Sequence, residues 1–374
     1  MPPASSVQAV PRTAPHRTVL PHCLLLLYAL AIAYASLQPF GPWIPPPPGT
    51  PFFLLATTLP RYTRFDVLAN ALAYVPLGFF AALVLRRAGP WERFTLGLTA
   101  AAGLSFTMES LQMLLPPRDA SVIDLLSNAV GGALGASFGV IFAYSPRMRQ
   151  ALGRARHRWF LGGRFGDLGL TLVLVWLVVQ VNPGIPLFAT MFDPSVDYSV
   201  APVATGSTTA DFAAVLIEAA HSAFQVLGVG LFLALLLRAR RFALRGALLL
   251  LGAAALLKVI AAALLLNPLA LQRWWRPGVT AGMVVGMVLL AGSTRLPRPA
   301  QVAIATVALL SSLLSMALAP ELIFSRAPLG MFNATYGHLL NFNGLTHTVL
   351  LLWPVIASAF LFTLAGRPRW GAPG

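Results

Sequence analysis

Charge is scarce in this sequence. Only 10% of its 374 residues are Asp, Glu, Lys or Arg, and the acidic ones number 11. A soluble domain carries about 25% charged residues, so this chain cannot clothe a soluble surface of its size. Lysine is rarer still, with Lys258 alone. Cysteine is limited to Cys23, which excludes an intrachain disulfide framework and a cysteine metal site. Apolar side chains make up 57% of the residues. The solvent that fits these proportions is a bilayer.

The expected fold class is all-α: a polytopic transmembrane helical bundle of about ten spans, each needing about 20 apolar residues. Ten runs approach that length: 20–38, 67–86, 95–115, 122–144, 167–181, 211–237, 244–266, 277–293, 301–319 and 345–365. With the N-terminus inside, the inner segments hold 19 arginines and the outer ones six, Arg61, Arg64, Arg118, Arg273, Arg276 and Arg326. That asymmetry puts both termini in the cytoplasm. It also explains the net charge of +15 without nucleic acid. Five segments are expected: a basic N-terminus at 1–19, a four-helix membrane domain at 20–144, a basic cytoplasmic linker at 145–166 lying on the anionic leaflet, a second membrane domain of about six helices at 167–366, and a tail at 367–374. Residues 12–35 also satisfy the pattern of a cleavable signal peptide.

Polar groups inside spans are costly and need a reason. Asp66, Asn70 and Tyr74 recur every fourth residue, on one helical face. Glu109 and Gln112 end the third run, a short loop carries Arg118, Asp119 and Ser121, and Asp124 and Asn128 begin the fourth. All belong to outer ends of spans, with Asn70, Glu109 and Asn128 about 6–10 Å below the boundary. Three helices therefore bring their polar faces to one level. Gly131, Gly132, Gly135 and Gly139 offer a smooth face for close packing.

The stretches RFDVLANALAYVPLGFFAALVLRR and SFTMESLQMLLPPRDASVIDLLSNAVGGALG resemble the VanZ-like family of bacterial membrane proteins. The resemblance covers 20–144, about a third of the chain. The family takes its name from a protein linked to resistance against teicoplanin, a lipid-tailed glycopeptide. The resemblance implies an envelope role in the bacterial inner membrane and defines no reaction.

Two readings of the cluster stand side by side. As a site, Asp66, Glu109 and Asp124 supply a base or a cation-binding set, Arg118 grips a phosphate or carboxylate headgroup, and Asn70, Tyr74, Gln112 and Asn128 orient the ligand. As structural glue, Arg118 pairs with Asp119 or Asp66, and Asn70 with Asn128. Three carboxylates at one level exceed what glue requires, which favours a ligand: a lipid-linked or amphiphilic envelope molecule. No serine–histidine or histidine–metal motif is present, so binding is favoured over catalysis, and no cofactor or metal is expected.

The second half shows a weak repeat at an offset near 145–150, where YVPLGFFAALVLRR resembles FQVLGVGLFLALLLR. It keeps none of the motif residues. Glu218 and His221 share a face of the sixth run, and an ion pair between Glu218 and Lys258 is expected. That pair and the repeat support an alternative, a transporter or flippase. A membrane scaffold for polysaccharide or protein-export enzymes is the third reading, with its protein partners unknown.

Overall fold

The computed structural model describes residues 18–56, 63–116, 118–185, 208–318, 329–333 and 337–366. The N-terminal residues 1–17, Arg61, Arg326, the tail at 367–374 and the side chain of Arg273 lie outside the described residues. Twelve α-helices are present among them: α1 Leu20–Leu37, α2 Arg64–Val84, α3 Pro90–Gln112, α4 Val122–Tyr144, α5 Pro146–Trp159, α6 Gly163–Val179, α7 Thr208–Leu236, α8 Ala243–Leu265, α9 Pro268–Arg273, α10 Pro277–Ser293, α11 Arg298–Leu318 and α12 Gly337–Ala365.

Each of the ten apolar runs coincides with a helix. Among the described residues, seven helices are long and apolar enough to cross a membrane, and α10 is a shorter apolar helix. Helix α3 is diluted by Glu92, Arg93 and Glu109, and α6 has 17 residues. The protein is therefore a multi-helix membrane protein.

The first four helices close around a seam without side chains. A Cβ on Gly131 would lie 1.9 Å from Ala71 O, and one on Gly135 would lie 1.9 Å from Val75 O. A Cβ on Gly78, from the facing helix, would lie 2.1 Å from Gly132 O. Helices α2 and α4 thus touch backbone to backbone, as small residues permit in lipid. Helix α3 closes the other side, where a Cβ on Gly132 would lie 2.1 Å from Ala101 Cβ. Arg93 donates to the carbonyl of Ala82 in the last turn of α2 and to those of Arg86 and Ala88 in the loop that follows, satisfying one orphan acceptor of the helix end and two of the loop.

The basic linker is itself a helix, α5. Met148, Leu152 and Trp159 lie on one exposed side, with arginines flanking it. Its Arg156 pairs with Asp167 of α6 at 3.0 Å. The other oxygen of Asp167 accepts from Thr18 Oγ1 and Val19 N, both at 2.8 Å, and so caps the start of α1. One carboxylate therefore joins α1, α5 and α6.

Helix α7 is the axis of the second half. Being apolar nearly all round, it is buried nearly all round: 83% of an 18-residue window within Val215–Leu236 is inside the molecule. Helices α10 and α11 pack along it, and Phe232 meets Trp353 and Phe360 of α12. The α7–α10 contact repeats the glycine seam, since a Cβ on Gly282 would lie 2.2 Å from Ala219 O.

Candidate functional site

Local capping begins the cluster of α2–α4 before packing completes it. Thr63 caps α2, and Asp66 returns the bond, with its Oδ2 accepting from Thr63 N at 2.9 Å and from Thr63 Oγ1 at 2.8 Å. Asp66 is thus committed to the start of α2. Ser121 caps α4 by accepting from Ile123 N at 3.0 Å. Its own N–H donates to Glu109 Oε2 at 2.8 Å, so the buried Glu109 ties the end of α3 to the start of α4.

One turn along, Asn70 Nδ2 donates to Asp124 Oδ1 at 2.6 Å across the glycine seam. Asn128 Nδ2 donates to Ser105 Oγ at 2.9 Å, while its buried Oδ1 has no hydrogen-bond partner among the described residues. Tyr74 is buried, meets Ser105, and feels the charges of Glu109 and Asp124. Glu109 and Asp124 in turn feel each other. The structure therefore gathers Asn70, Tyr74, Glu109, Asp124 and Asn128 at one level.

The expected partners differ. Asn70 pairs with Asp124, and Asn128 with Ser105, in place of an Asn70–Asn128 pair. Arg118 turns to neither Asp119 nor Asp66. Its Nε and Nη2 donate to Gln38 O, and Nη2 also reaches Ala35 O, at 2.8–3.2 Å. A cation there meets the carbonyl end of α1 and its dipole. Partial burial pulls the Arg118 pKa down from its ordinary value, yet a guanidinium stays charged. Gln112 Nε2 donates to Ser36 O at 2.9 Å, a further tie to α1.

Above the cluster lies a cavity of about 630 Å³. The proline loop walls one side through Ile44, Pro46 and Phe53. Met113, Arg118, Asp119 and Ser121 form the other. Its floor is thus the residue that Glu109 holds. Asp119 is exposed at its edge. Sequence reasoning missed Ser105, although it lies one turn before Glu109 on the same face of α3. It also missed the proline loop as a wall, for which spacing gives no signal.

In the second half, Glu218 pairs with Arg276 at 3.0 Å rather than with Lys258. Lys258 is fully buried, and its Nζ donates to the carbonyls of Asn182 at 3.0 Å and Ile185 at 2.9 Å. The loop after α6 turns back over α8, so carbonyls reach the ammonium first. His221 Nδ1 lies 2.8 Å from Ser315 Oγ.

Apolar helices of spanning length and a buried polar level near one end of the bundle define a polytopic membrane protein. Residues 22–143 match the model of the VanZ/LLP1 family, and the chain carries a VanZ-like unit there. No curated protein and no solved structure matches it.

Proposed function

We propose that this chain is a multi-pass protein of the bacterial inner membrane that binds a lipid-linked or amphiphilic envelope molecule at the outer leaflet. About ten spans, both termini inside, put the α2–α4 cluster outside. Clustered arginines support that orientation: Arg86, Arg87 and Arg93 lie at the opposite end of the unit from the cluster, and α5 follows at that same end. The four-helix unit at 20–144 carries the site. The second membrane domain at 167–366 supports it.

The observation that carries the reading is the cavity above Ser121. Its proline and aromatic wall suits an apolar chain, and its other wall offers one charge of each sign, Arg118 and Asp119. Arg118 Nη1 makes no hydrogen bond with a described residue and is not sealed from the cavity, so it can grip an anionic headgroup. Binding is favoured over catalysis, because the cluster has carboxylates and amides but no paired nucleophile and base.

Mass spectrometry of amphiphiles that co-purify with the full-length protein tests this. Wild type retains a distinct species, which Arg118→Gln and Asp119→Asn lose while membrane levels stay equal. Identical lipid profiles in all three would end the reading. The transporter alternative drew on a Glu218–Lys258 pair that Arg276 replaces.

A further inference from the structure

Arginine content alone draws the 145–166 segment toward an anionic leaflet but gives it no means of entering one. The structure supplies the means. Helix α5 has 14 residues and is about 21 Å long. At helical spacing, Met148, Ala151, Leu152, Ala155 and Trp159 fall within one arc of about 100°. Met148 is 51% exposed, Leu152 59% and Trp159 37%, so the bundle leaves most of this side uncovered. Arg147, Arg154 and Arg158 line one border of the arc, and Arg149 and Arg156 line the other. No acidic residue occurs from Ser145 to Gly166. Arg156 is paired with Asp167, while Arg147, Arg149, Arg154 and Arg158 form no ion pair among the described residues.

Contacts hold both ends of α5 at one end of the bundle. Where α4 stops, Tyr144 Oη donates to Ala88 O in the α2–α3 loop at 3.2 Å. The same loop reaches the start of α1, where Arg86 donates to Thr18 O. Thr18 in turn donates to Asp167, which holds Arg156 in the last turn of α5. A helix tied at both ends to one end of a bundle lies across that end. Trp159 meets Phe242 edge to face at 4.9 Å, and Arg158 and Arg241 lie over these two rings. Trp159 O accepts from Arg238 N at 2.9 Å, which fastens the segment before α8 alongside, with Arg238, Arg241 and Arg245 exposed. Aromatic rings among guanidinium groups suit the headgroup level of a bilayer.

We propose that α5 is an interfacial helix that sinks its Met148–Leu152–Trp159 side into an anionic phospholipid leaflet, with its arginines on the phosphates. Such a leaflet offers acyl chains to the apolar arc and negative charge to both of its borders. A nucleic acid would satisfy the arginines and leave the apolar side in water. A second copy would cover the apolar side and set arginine against arginine. On α4 the exposed apolar row of Val130, Leu134, Phe138 and Ile141 ends just before α5 begins, so acyl chains already reach this level.

Spin labelling of the full-length protein tests this. In a Cys23→Ser background a nitroxide is attached through Ala155→Cys, on the apolar arc, or through Gln150→Cys, opposite it. Each protein is reconstituted in phosphatidylcholine vesicles or in an equal mixture of phosphatidylcholine and phosphatidylglycerol. In the mixture the label at 155 should meet oxygen rather than an aqueous nickel reagent, at about 5–10 Å below the phosphates, while the label at 150 stays in water. In phosphatidylcholine alone, or in high salt, the label at 155 should move outward. Replacing Arg147, Arg149, Arg154 and Arg158 together by Gln should cancel the difference between the two lipids. A label at 155 that stays in water in the mixture overturns the proposal, as does an equal depth in both lipids. Shielding from oxygen and nickel alike, the mark of a protein contact, overturns it too, and so does shielding that appears only when RNA is added. If the arginine variant does not fold, the two labelled proteins decide without it.

Discussion

Both halves of the molecule solve the same packing problem and then use the result differently. In the first, glycines of α4 sit on carbonyls of α2; in the second, glycines of α10 sit on carbonyls of α7. Across the first seam the polar groups cross-link different helices: Asn70 to Asp124, Asn128 to Ser105, Glu109 to Ser121. Beside the second they run along one helix and end in an apolar core. The lesson is that a shared scaffold does not carry its chemistry with it. The first arrangement makes a floor beneath a cavity, and the second makes a closed stripe.

The harshest way to break the comparison is to fill both seams. Gly131→Leu and Gly282→Leu each drive a side chain into a carbonyl, at 1.9 Å and 2.2 Å for the first carbon alone. Both should lose folded protein, by more than about 3 kcal/mol, on size-exclusion in detergent. If only one does, the seams are not equivalent. Next in size is the joint between the halves. Asp167→Ala removes the cap of α1 and the ion pair to Arg156, and should lower the unfolding midpoint by the equivalent of about 2 kcal/mol. A smaller effect belongs to Asn70 and Asp124. A double-mutant cycle of Asn70→Ala and Asp124→Ala should give a coupling near 0.6 kcal/mol, at most about 1.7. The least is expected at Gly103 and Gly252, where a Cβ meets nothing within 4 Å. Gly103→Ala and Gly252→Ala should leave the midpoint unchanged or raise it by up to about 1 kcal/mol.

Much of the fold was legible because hydropathy reports on apolar helices directly. The glycine run of α4 announced a close contact, and the structure supplies its partners, Ala71 and Val75. The level of the cluster was legible too, since helical spacing gives face and depth. Pairing was not. Spacing cannot say that Thr63 captures Asp66, that Arg118 returns to the end of α1, or that Arg276 reaches Glu218 before Lys258 does. Those outcomes depend on where loops turn back, which hydrophobic pattern leaves unspecified. Likewise α5 read only as a basic linker, because its apolar residues are few.

A junction made of glycine and carbonyl has no rotamers to change. Where Gly131 and Gly135 rest on α2, no side chain can swing, so the two helices move as one body or not at all. Any adjustment to a visitor in the cavity therefore falls to its outer wall, the segment from Ile44 to Ala56. Selectivity among guests of different girth should be decided there, on the side built from proline.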